Sequence, residues 1–414
     1  MTSHRTGVRI FSASWRLCVK IRPLKPKTFM LIAGETSGDL LAAELVSALR
    51  AQSSILNPPS SPVFFGAGGA KMASAGVELA FDLTLHSVIG FSDVLKNYFK
   101  FRRLFNQLLA LAIERKPDVV IGVDFGGFNL RFGHAVKEYV RKHPGANWNP
   151  KIIQFVSPQV WASRPGRANR LAADYDLLLS IFPFEKAWYA RRVPKLRVEF
   201  VGHPMIGRFG KAESEKPKAE SAGISPTILL LPGSRKSELQ RHLPVLLGAL
   251  SLIREKLPAT RAKMVLPNPA LKTLAGKLAE LPADFEIQTG NLPDALAAAD
   301  AAIASTGTVT VECAFFGVPT VTLYKTSWVN YEIAKRIATV KWATMPNILA
   351  DEEVFPEFIQ NVATPENLAR AALELLQDES RRAKIKSQLA TIVSTLGEPG
   401  ASQRAAAAIL SLFT

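Results

Sequence analysis

Residues 117–130 read PDVVIGVDFGGFNL, an apolar run that ends in one aspartate, Asp124, followed by a phenylalanine and two glycines. The run at 119–123 carries no polar side chain on either face, which is typical of a central parallel strand covered by helices on both sides. A carboxylate at the carboxyl end of such a strand lies where open α/β sheets bind their ligands. The stretch therefore predicts a parallel sheet with Asp124 at its functional edge.

Short apolar runs alternate with helical patterns around this stretch, and the alternation resumes after an interruption. Strands of a first series are predicted at 29–33, 63–66, 119–123, 152–156 and 177–182. Strands of a second series are predicted at 228–231, 263–266, 285–288, 301–304 and 320–323. Strand–helix alternation of this kind indicates parallel, doubly wound sheets. We therefore predict an α/β fold of two Rossmann-like domains that face each other across a cleft.

Charge and turn composition suggest where these domains begin and end. Residues 1–27 contain seven lysines and arginines and no acid, and they lack the apolar segment of a secretory signal. Residues 211–226 are charged, contain proline and show no periodicity, which is typical of a linker. The predicted division is a disordered basic extension at 1–27, domains at 28–205 and 227–385, a linker at 206–226 and a helical segment at 386–414.

Overall composition limits the classes of protein to consider. A chain of 414 residues favours two domains. The net charge of +16 predicts an anionic partner, which is nucleic acid, anionic lipid or a phosphorylated substrate. No apolar run approaches the roughly 20 residues that cross a bilayer, so a soluble or peripheral protein is expected. Two cysteines, Cys18 and Cys313, are too few for a disulfide framework and fit a reducing compartment.

Two loops of the second series have the composition of a nucleotide diphosphate site. Glycine permits close backbone approach, a helix start offers N–H donors, and arginine supplies a fixed cationic fork. A glutamate one turn into the second helix could accept hydrogen bonds from ribose. Either loop alone is equally compatible with an ordinary turn or a Ser/Thr helix cap, but the pair favours a nucleotide site. The candidate residues are Gly233, Ser234 and Arg235 in one loop and Ser305, Gly307, Thr308 and Glu312 in the other.

Polar residues of the first series are more ambiguous. The loop after the first strand, with Glu35 and Ser37, is neither a GxGxxG nor a Walker A motif. Its carboxylate would face the cleft, whereas helix capping is the structural alternative. Asp174 and Asp176 form a DxD pattern that we interpret as polarity at a strand entry rather than a metal site. His203 precedes a proline at the domain boundary, which favours a hinge over a catalytic base.

The segment 90–105 mixes four phenylalanines with four cations. Such a mixture suits an anionic membrane surface or single-stranded nucleic acid, and an amphipathic core helix explains it equally simply. The candidate surface residues are Phe91, Leu95, Tyr98, Phe99, Phe101, Arg102 and Arg103.

Eight segments, in the order in which the family carries them, resemble those of the lipid-A-disaccharide synthase family. The members of this family are bacterial inverting glycosyltransferases of GT-B architecture. They are AGETSGD (33–39), GVDFGGFN (122–129), FVSPQVWASRPGRA (155–168), PFEKAWY (183–189), FVGHPM (200–205), LLPGSRKSE (230–238), STGTVTVE (305–312) and MPNILADEEVFPEFIQ (345–360). The resemblance implies transfer from UDP-2,3-diacylglucosamine to 2,3-diacylglucosamine 1-phosphate, giving a β-1,6-linked disaccharide 1-phosphate and UDP. It implies no cofactor and no metal.

The same resemblance assigns roles and a location. Asp124 and Glu35 are the expected catalytic carboxylates. The expected UDP-sugar residues are Gly233, Ser234, Arg235, Ser305, Gly307, Thr308, Glu312 and Asn347. The expected acceptor and cleft residues are Ser37, Asn129, Ser157, Gln159, Trp161, Arg164 and His203. The resemblance favours the membrane interpretation of 90–105 and implies a cytoplasmic enzyme, peripheral at the inner face of the inner membrane of a Gram-negative bacterium. A homodimer is one alternative for its oligomeric state.

One departure from the family pattern lies in the opening stretch. The family usually reads Ala-Pro-Asp-Phe-Asn after the first aspartate, whereas this chain reads Phe-Gly-Gly-Phe-Asn, with Gly127 in place of the second carboxylate. The function of that carboxylate is then either dispensable or supplied by another residue such as Glu35.

Two further classes of function stay as alternatives. Another UDP-sugar enzyme of GT-B architecture, such as the muramyl N-acetylglucosaminyltransferase or a UDP-N-acetylglucosamine epimerase, shares the two-domain logic but is not expected to carry SPQVWASRPGR. A basic nucleic-acid-binding protein would explain the charge. No recognised nucleic-acid module occurs, and the basic residues after 27 are scattered, so no nucleic-acid partner is predicted.

Overall fold

The computed structural model describes residues 26–56, 61–86, 98–209, 225–282 and 284–413. Two parallel sheets are present in these ranges, with strand orders β3-β2-β1-β4-β5-β6-β7 and β10-β9-β8-β11-β12-β13. The strands of the first sheet are β1 Thr28–Ala33, β2 Val63–Gly68, β3 Glu78–Asp82, β4 Val119–Val123, β5 Lys151–Phe155, β6 Leu177–Ser180 and β7 Val198–Phe200. Those of the second are β8 Thr227–Leu231, β9 Arg261–Leu266, β10 Glu286–Thr289, β11 Ala301–Ser305, β12 Thr320–Tyr324 and β13 Glu357–Ile359.

Helices follow most strands and cover the sheets. The first group is α1 Thr36–Leu56, α2 Ala70–Ser74, α3 Tyr98–Arg115, α4 Gly126–Lys142, α5 Val160–Ser163, α6 Arg167–Asp174, α7 Pro183–Arg192 and α8 Met205–Arg208. The second group is α9 Lys236–Lys256, α10 Pro269–Leu278, α11 Leu292–Ala298, α12 Val309–Phe315, α13 Trp328–Ile337, α14 Met345–Ala350, α15 Pro365–Gln377, α16 Glu379–Thr395 and α17 Ala401–Leu410. Within the described ranges, 3₁₀ turns occur at Thr84–His86, Pro144–Ala146 and Gln360–Val362.

The predicted α/β class with two doubly wound parallel sheets is confirmed. Every residue of β4 is buried, because helices cover both faces of the strand and its side chains are apolar throughout. Three short strands were missed by the sequence analysis, namely β3, β7 and β13. Their residues are mostly half-buried or exposed, so they lack the continuous apolar run that marks a central strand.

The strand order reverses direction at one place in each sheet. In the first sheet β1 pairs with β4, with Ala33 opposite Val123. In the second sheet β8 pairs with β11, with Leu231 opposite Ala304. Crevices form at such topological switch points, outside the carboxyl ends of the strands. The loops after these four strands are the ones for which the sequence predicts chemistry.

The C-terminal segment returns to the first sheet instead of ending beside the second. In α17, the carbonyl of Gln403 accepts a hydrogen bond of 2.8 Å from the Gln52 side chain of α1. Arg404 donates to the carbonyl of Val201 at 2.8 Å. The predicted domain boundaries stay predictions, and residues 1–25 of the basic extension and 210–224 of the linker lie outside the described residues.

Candidate active site

Asp124 is held in an unusual backbone conformation at the end of β4. Asp124 and Phe125 both adopt left-handed conformations, with φ of 51° and 45°. Each such non-glycine residue costs about 1–3 kcal/mol. The carbonyl of Asp124 accepts hydrogen bonds from the side chains of Asn129 at 2.8 Å and Gln154 at 2.9 Å. These buried amides hold the backbone of the turn that carries Asp124.

The loop after β1 is shaped to fit this turn. A Cβ atom on Gly34 would lie 2.3 Å from the ring of Phe125. Glycine at position 34 therefore lets the ring pack against the first loop. Asp39 caps α2, accepting backbone hydrogen bonds from Gly69, Lys71 and Met72 at 2.8–3.1 Å. Asp39 therefore caps α2 and not its own helix α1, so the expected local capping is not the role of its side chain, and Glu35 is the remaining carboxylate of this loop.

The electrostatics of Glu35 connect the two domains. Burial raises the pKa of Glu35, the neighbouring charge of Asp124 raises it further, and Arg235 of the second domain lowers it. Burial also raises the pKa of Asp124, while a hydrogen bond from the backbone of Phe125 opposes the rise. Both carboxylates therefore have an elevated proton affinity, and Glu35 lies within electrostatic reach of Asp124 and of a cation from the opposite sheet. Such an arrangement is typical of functional sites.

The loop after β8 is closed by a residue that the sequence analysis missed. The Glu238 carboxylate accepts backbone hydrogen bonds from Ser234 at 3.0 Å and Arg235 at 3.2 Å. It also pairs with the Arg235 guanidinium at 3.2 Å. Gly233 has φ of +113°, and a Cβ there would lie 2.3 Å from Glu238. Two amides predicted as phosphate donors are thus bonded internally, while most of the exposed Arg235 fork is available for a ligand.

The loop after β11 is more open. Gly307 has φ of +152° with no atom near a built Cβ, and Thr308 is exposed beside it. Ser305 is buried as the last residue of its strand. Burial raises the pKa of Glu312 to about 7, and Arg208 opposes the rise. Thr308 and Glu312 therefore lie where the sequence predicts them, at the first turn of α12, while Ser305 is buried within its strand.

His242, also absent from the predicted set, ties two loops of this domain together. Its Nδ1 lies 2.7 Å from the carbonyl of Pro232, and its Nε2 accepts the backbone N–H of Lys325 at 3.0 Å. Burial lowers the pKa of His242, so the neutral ring donates through Nδ1 and accepts through Nε2. The sequence signal that could have identified His242 is its position one turn after Glu238, on a helix face that is otherwise apolar.

The side-chain amide of Asn347 is fully hydrogen-bonded to neighbouring groups of the protein. Its amide nitrogen donates to the carbonyl of Phe355 and the carboxylate of Glu357, both at 2.8 Å. Its oxygen accepts from the backbones of Val354 and Phe355 at 2.9 and 2.8 Å. These bonds use the full capacity of the amide. They give Asn347 a structural role, and its direct contact with a UDP-sugar stays a prediction.

The acceptor and cleft residues divide into two kinds. Gln159 and Arg164 are exposed, as is Ser37 in the first turn of α1, whereas Asn129, Ser157, Trp161 and His203 are buried. The Trp161 indole donates to the carboxylate of Glu185 at 2.9 Å. The backbone carbonyl of Trp161 accepts a hydrogen bond of 2.5 Å from the hydroxyl of Thr339 in the second domain. The side chain of Trp161 therefore supports the loop 157–164, and its backbone joins the domains.

His203 has the environment of a structural hinge residue. It is buried, its ring lies 5.6 Å from that of Phe182, and its backbone N–H donates to the carbonyl of Leu396 at 2.8 Å. Burial lowers the pKa of His203 to about 4. A neutral ring in this position agrees with the hinge interpretation, and its participation in the acceptor site stays a prediction.

The DxD pattern supports the surrounding fold. Asp174 pairs with His134 at 2.8 Å. Asp176 accepts the backbone N–H of Ile152 at 2.9 Å and pairs with Lys137 at 3.0 Å. Both carboxylates are engaged away from the strand ends that border the cleft, in agreement with the strand-entry interpretation.

The aromatic–cationic segment is described in part. Phe91, Leu95 and the side chain of Tyr98 lie outside the described residues. On α3, Phe99 is 79% exposed, Arg102 and Arg103 are exposed, and Phe101 is half-buried. The opposite face is buried through residues such as Leu108. In the described ranges, no helix is long and apolar enough to cross a membrane.

Solved structures place this arrangement in a known class. A glycotransferase of kitacinnamycin matches with a TM-score of 0.56 at 17% identity, covering 94% of this chain and 100% of that one. A UDP co-structure of MnaA from S. aureus matches with a TM-score of 0.62 at 14% identity, covering 94% and 97%. The two parallel sheets, each with a switch point at its centre, are those of the GT-B fold.

Sequence relatives identify the family within this class. Residues 29–412 match the family described as lipid-A-disaccharide synthetase. The chain is 35% identical over 395 residues to the lipid-A-disaccharide synthase of Trichlorobacter lovleyi, covering 94% of this chain and 98% of the relative. It is 34% identical over 398 residues to that of Myxococcus xanthus. The chain therefore belongs to the lipid-A-disaccharide synthase family, and it is an enzyme of lipid A disaccharide synthesis.

Proposed function

We propose that the enzyme transfers 2,3-diacylglucosamine from its UDP derivative to 2,3-diacylglucosamine 1-phosphate, with inversion at the anomeric carbon. The proposal rests on family membership, and one observation carries its chemistry. Glu35 of the first sheet lies within electrostatic reach of Asp124 beside it and of Arg235 of the second sheet. A base and a diphosphate-binding cation on opposite walls suit a displacement in which the nucleophile and the leaving group lie on opposite faces of the sugar.

In the proposed reaction, Asp124 accepts the proton of the acceptor 6-hydroxyl as its oxygen forms a bond to the donor C1. The bond from C1 to the diphosphate oxygen breaks at the same time, and UDP leaves with that electron pair. Attack opposite to UDP converts an α-linked donor into a β-1,6-linked disaccharide. The elevated pKa of Asp124 makes it a stronger base than an exposed aspartate, and Glu35 is proposed to position the hydroxyl beside it.

UDP is proposed to bind along the loops after β8 and β11. Arg235 is exposed at the mouth of the first loop, where its fork can neutralise charge that develops on the diphosphate. Thr308 and the open backbone at Gly307 are placed for a second phosphate or the ribose. Glu312 would accept hydrogen bonds from ribose hydroxyls. Because Glu238 binds two amides of the first loop, the arginine side chain is proposed to contribute more than the backbone there.

The enzyme is proposed to work at the inner face of the inner membrane, where acylated substrates would reside. The exposed Phe99, Arg102 and Arg103 support this location, because an aromatic ring can enter the lipid interface while arginines meet anionic head groups. Vesicle sedimentation tests it. Phe99→Ser combined with Phe101→Ser should weaken binding to anionic vesicles, whereas Leu278→Ser, at an exposed apolar site on α10, should not. Equal sedimentation of both variants would contradict the location.

The reaction itself is tested by incubating the protein with the donor and the acceptor. We expect UDP release together with a tetraacyl disaccharide 1-phosphate whose new linkage has the large anomeric proton coupling of a β-glucoside. An α-linkage would exclude inversion. Epimerisation of a UDP-sugar without an acceptor, or the absence of UDP release, would reject the proposed substrates.

A further inference from the structure

Four arginines lie just after α5 and in the first two turns of α4 and α6. Arg164 directly follows α5, Arg167 is the first residue of α6, and Arg170 lies one turn later. Arg131 lies in the second turn of α4, the helix that begins just after Asp124. Helices that follow parallel strands start at the carboxyl edge of the sheet. All four cations are therefore near the edge that carries the proposed base.

Packing brings the helices of these arginines together. The Tyr175 hydroxyl, next to the end of α6, donates to the carbonyl of Asn129 in α4 at 2.7 Å. Helix α3 joins the same layer, because its Phe105 ring lies 5.3 Å from Phe128 and 5.6 Å from Phe132 of α4. The four arginines, called here the arginine cluster, therefore lie in one layer with the aromatic–cationic surface of α3.

The cluster is exposed, and its members lack the acidic partners that other arginines have. Arg208 pairs with Glu44 at 2.7 Å, and Arg141 with Asp174 at 3.6 Å. Among the described residues, no carboxylate forms an ion pair with any of the four. Although Arg167 is exposed, partial desolvation of its guanidinium and the charges of Arg164, Arg131 and Arg170 lower its pKa. Like charges held together without a counterion raise the local free energy, and a bound anion would relieve that repulsion.

We propose that the arginine cluster binds the phosphate group of the lipid acceptor. This inference rests on the proposed function and names a subsite for it. A phosphomonoester dianion has three oxygens, and the planar fork of arginine matches them with paired, charge-assisted hydrogen bonds. Arg131 lies on the helix that begins just after Asp124 and packs against α3, so a lipid held by its phosphate at the cluster would have its sugar within reach of the proposed base.

The test compares two acceptors, one with the anomeric phosphate and one without it. Arg131→Gln, Arg164→Gln, Arg167→Gln and Arg170→Gln are made singly, with Arg191→Gln on α7 as an exposed control. Each cluster variant should raise the KM for the phosphorylated acceptor about tenfold, since a hydrogen bond to a charged group contributes that much. Turnover at saturation should change little. With the phosphate-free acceptor, wild type and variants should have the same KM.

Three results would overturn the subsite. The first is an unchanged KM in all four variants. The second is an equal loss with both acceptors, which would indicate a structural effect. The third is a loss confined to sedimentation with anionic phospholipid vesicles, which would assign the cluster to bilayer head groups. Thermal unfolding of each variant shows whether its fold is retained.

A direct binding experiment distinguishes failure of this inference from failure of the proposed reaction. Soluble glucosamine 1-phosphate and glucosamine are titrated into the protein and followed by NMR or calorimetry. Phosphate-dependent binding that is lost in Arg167→Gln and kept in Arg191→Gln supports the cluster even if no transfer is observed. Binding of equal strength for the two sugars would reject the cluster even if transfer occurs.

Discussion

The two walls of the cleft share one scaffold and use it in opposite ways. On the first wall, left-handed backbone conformations fall on side-chain-bearing residues, Asp124 and Phe125. On the second wall they fall on Gly233 and Gly307. Strain at a non-glycine residue fixes the direction of a side chain, whereas glycine opens space for a ligand or a neighbouring group. The first wall therefore presents a carboxylate, and the second presents backbone and an arginine fork.

Charge follows the same division. Burial raises the pKa of both Glu35 and Asp124 on the first wall, so these groups have a high affinity for protons. The second wall presents Arg235, which stabilises negative charge. Proton acceptance and stabilisation of a leaving diphosphate are the two requirements of an inverting transfer. Four variants test this division, three on the first wall and one on the second.

The largest effect is expected from Asp124→Asn, which removes the proposed base and keeps a residue that tolerates the left-handed conformation. Turnover should fall about a thousandfold, as for the loss of a general base, while UDP affinity should stay unchanged. UDP release and calorimetric UDP binding measure the two quantities. Asp351→Asn is the matched control, because Asp351 is also left-handed, with φ of 54°, and is exposed after α14. Near-normal turnover in Asp124→Asn would remove it as the base.

Gly233→Ala should damage the second wall instead. The new Cβ would meet Glu238 at 2.3 Å, and φ of +113° disfavours alanine, so a cost of about 1–3 kcal/mol in unfolding free energy is expected. UDP affinity should fall as the loop shifts, with turnover less affected. Gly276→Ala in α10 is the control, since a Cβ there meets nothing, and it should stabilise by about 0.5–1 kcal/mol. Urea unfolding and UDP titration report both effects. Unaltered UDP affinity in Gly233→Ala would place UDP elsewhere.

The sequence was sufficient for the central features of both walls. The all-apolar run of β4 could only be a covered parallel strand, and its terminal aspartate follows from that placement. The paired glycine-bearing loops of the second domain are recognisable for the same reason. Each of these features is local, because a strand and the loop after it are adjacent in the chain.

The features that sequence analysis missed depend on contacts between distant residues. His242 joins Pro232 to Lys325, which are far apart in the chain. The short strand β13 lies at the edge of the second sheet beside β12. Its residues are half-buried, so its apolar pattern is weak. The return of α17 to α1 is likewise a matter of tertiary packing. No residue pattern within a single segment specifies these partners.

Glu35→Gln tests whether the two carboxylates of the first wall act on each other. Electrostatic coupling between titrating groups is mutual, so removal of the Glu35 charge should favour ionised Asp124. Because the ionised form is the proposed base, the acidic limb of the kcat/KM profile should move to lower pH. A profile of kcat/KM against pH for the wild type and the variant measures the shift. An unmoved or upward-shifted limb would show that Glu35 does not act on the base.

Gly127→Asp should have the smallest effect and tests what stands in for the missing carboxylate. A Cβ at Gly127 meets no other atom, and the first turn of α4 contains no acidic residue. An aspartate there should stabilise the fold by about 0.5–1 kcal/mol, through the helix dipole and a less flexible unfolded chain. Thermal unfolding measures this gain, and Gly127→Asn separates charge from shape.

If Glu35 already supplies the second carboxylate, Gly127→Asp alone should leave turnover nearly unchanged, whereas it should restore part of the activity lost in Glu35→Gln. The double variant is therefore the informative one. The added aspartate should compensate for the lost glutamate only if the two carboxylates act on the same proton or hydroxyl. Steady-state UDP release by the four combinations of these two positions gives the coupling. Additive effects would mean that Glu35 and the carboxylate usual in the family have separate roles, and that the first wall of this enzyme works with Asp124 and Glu35 alone.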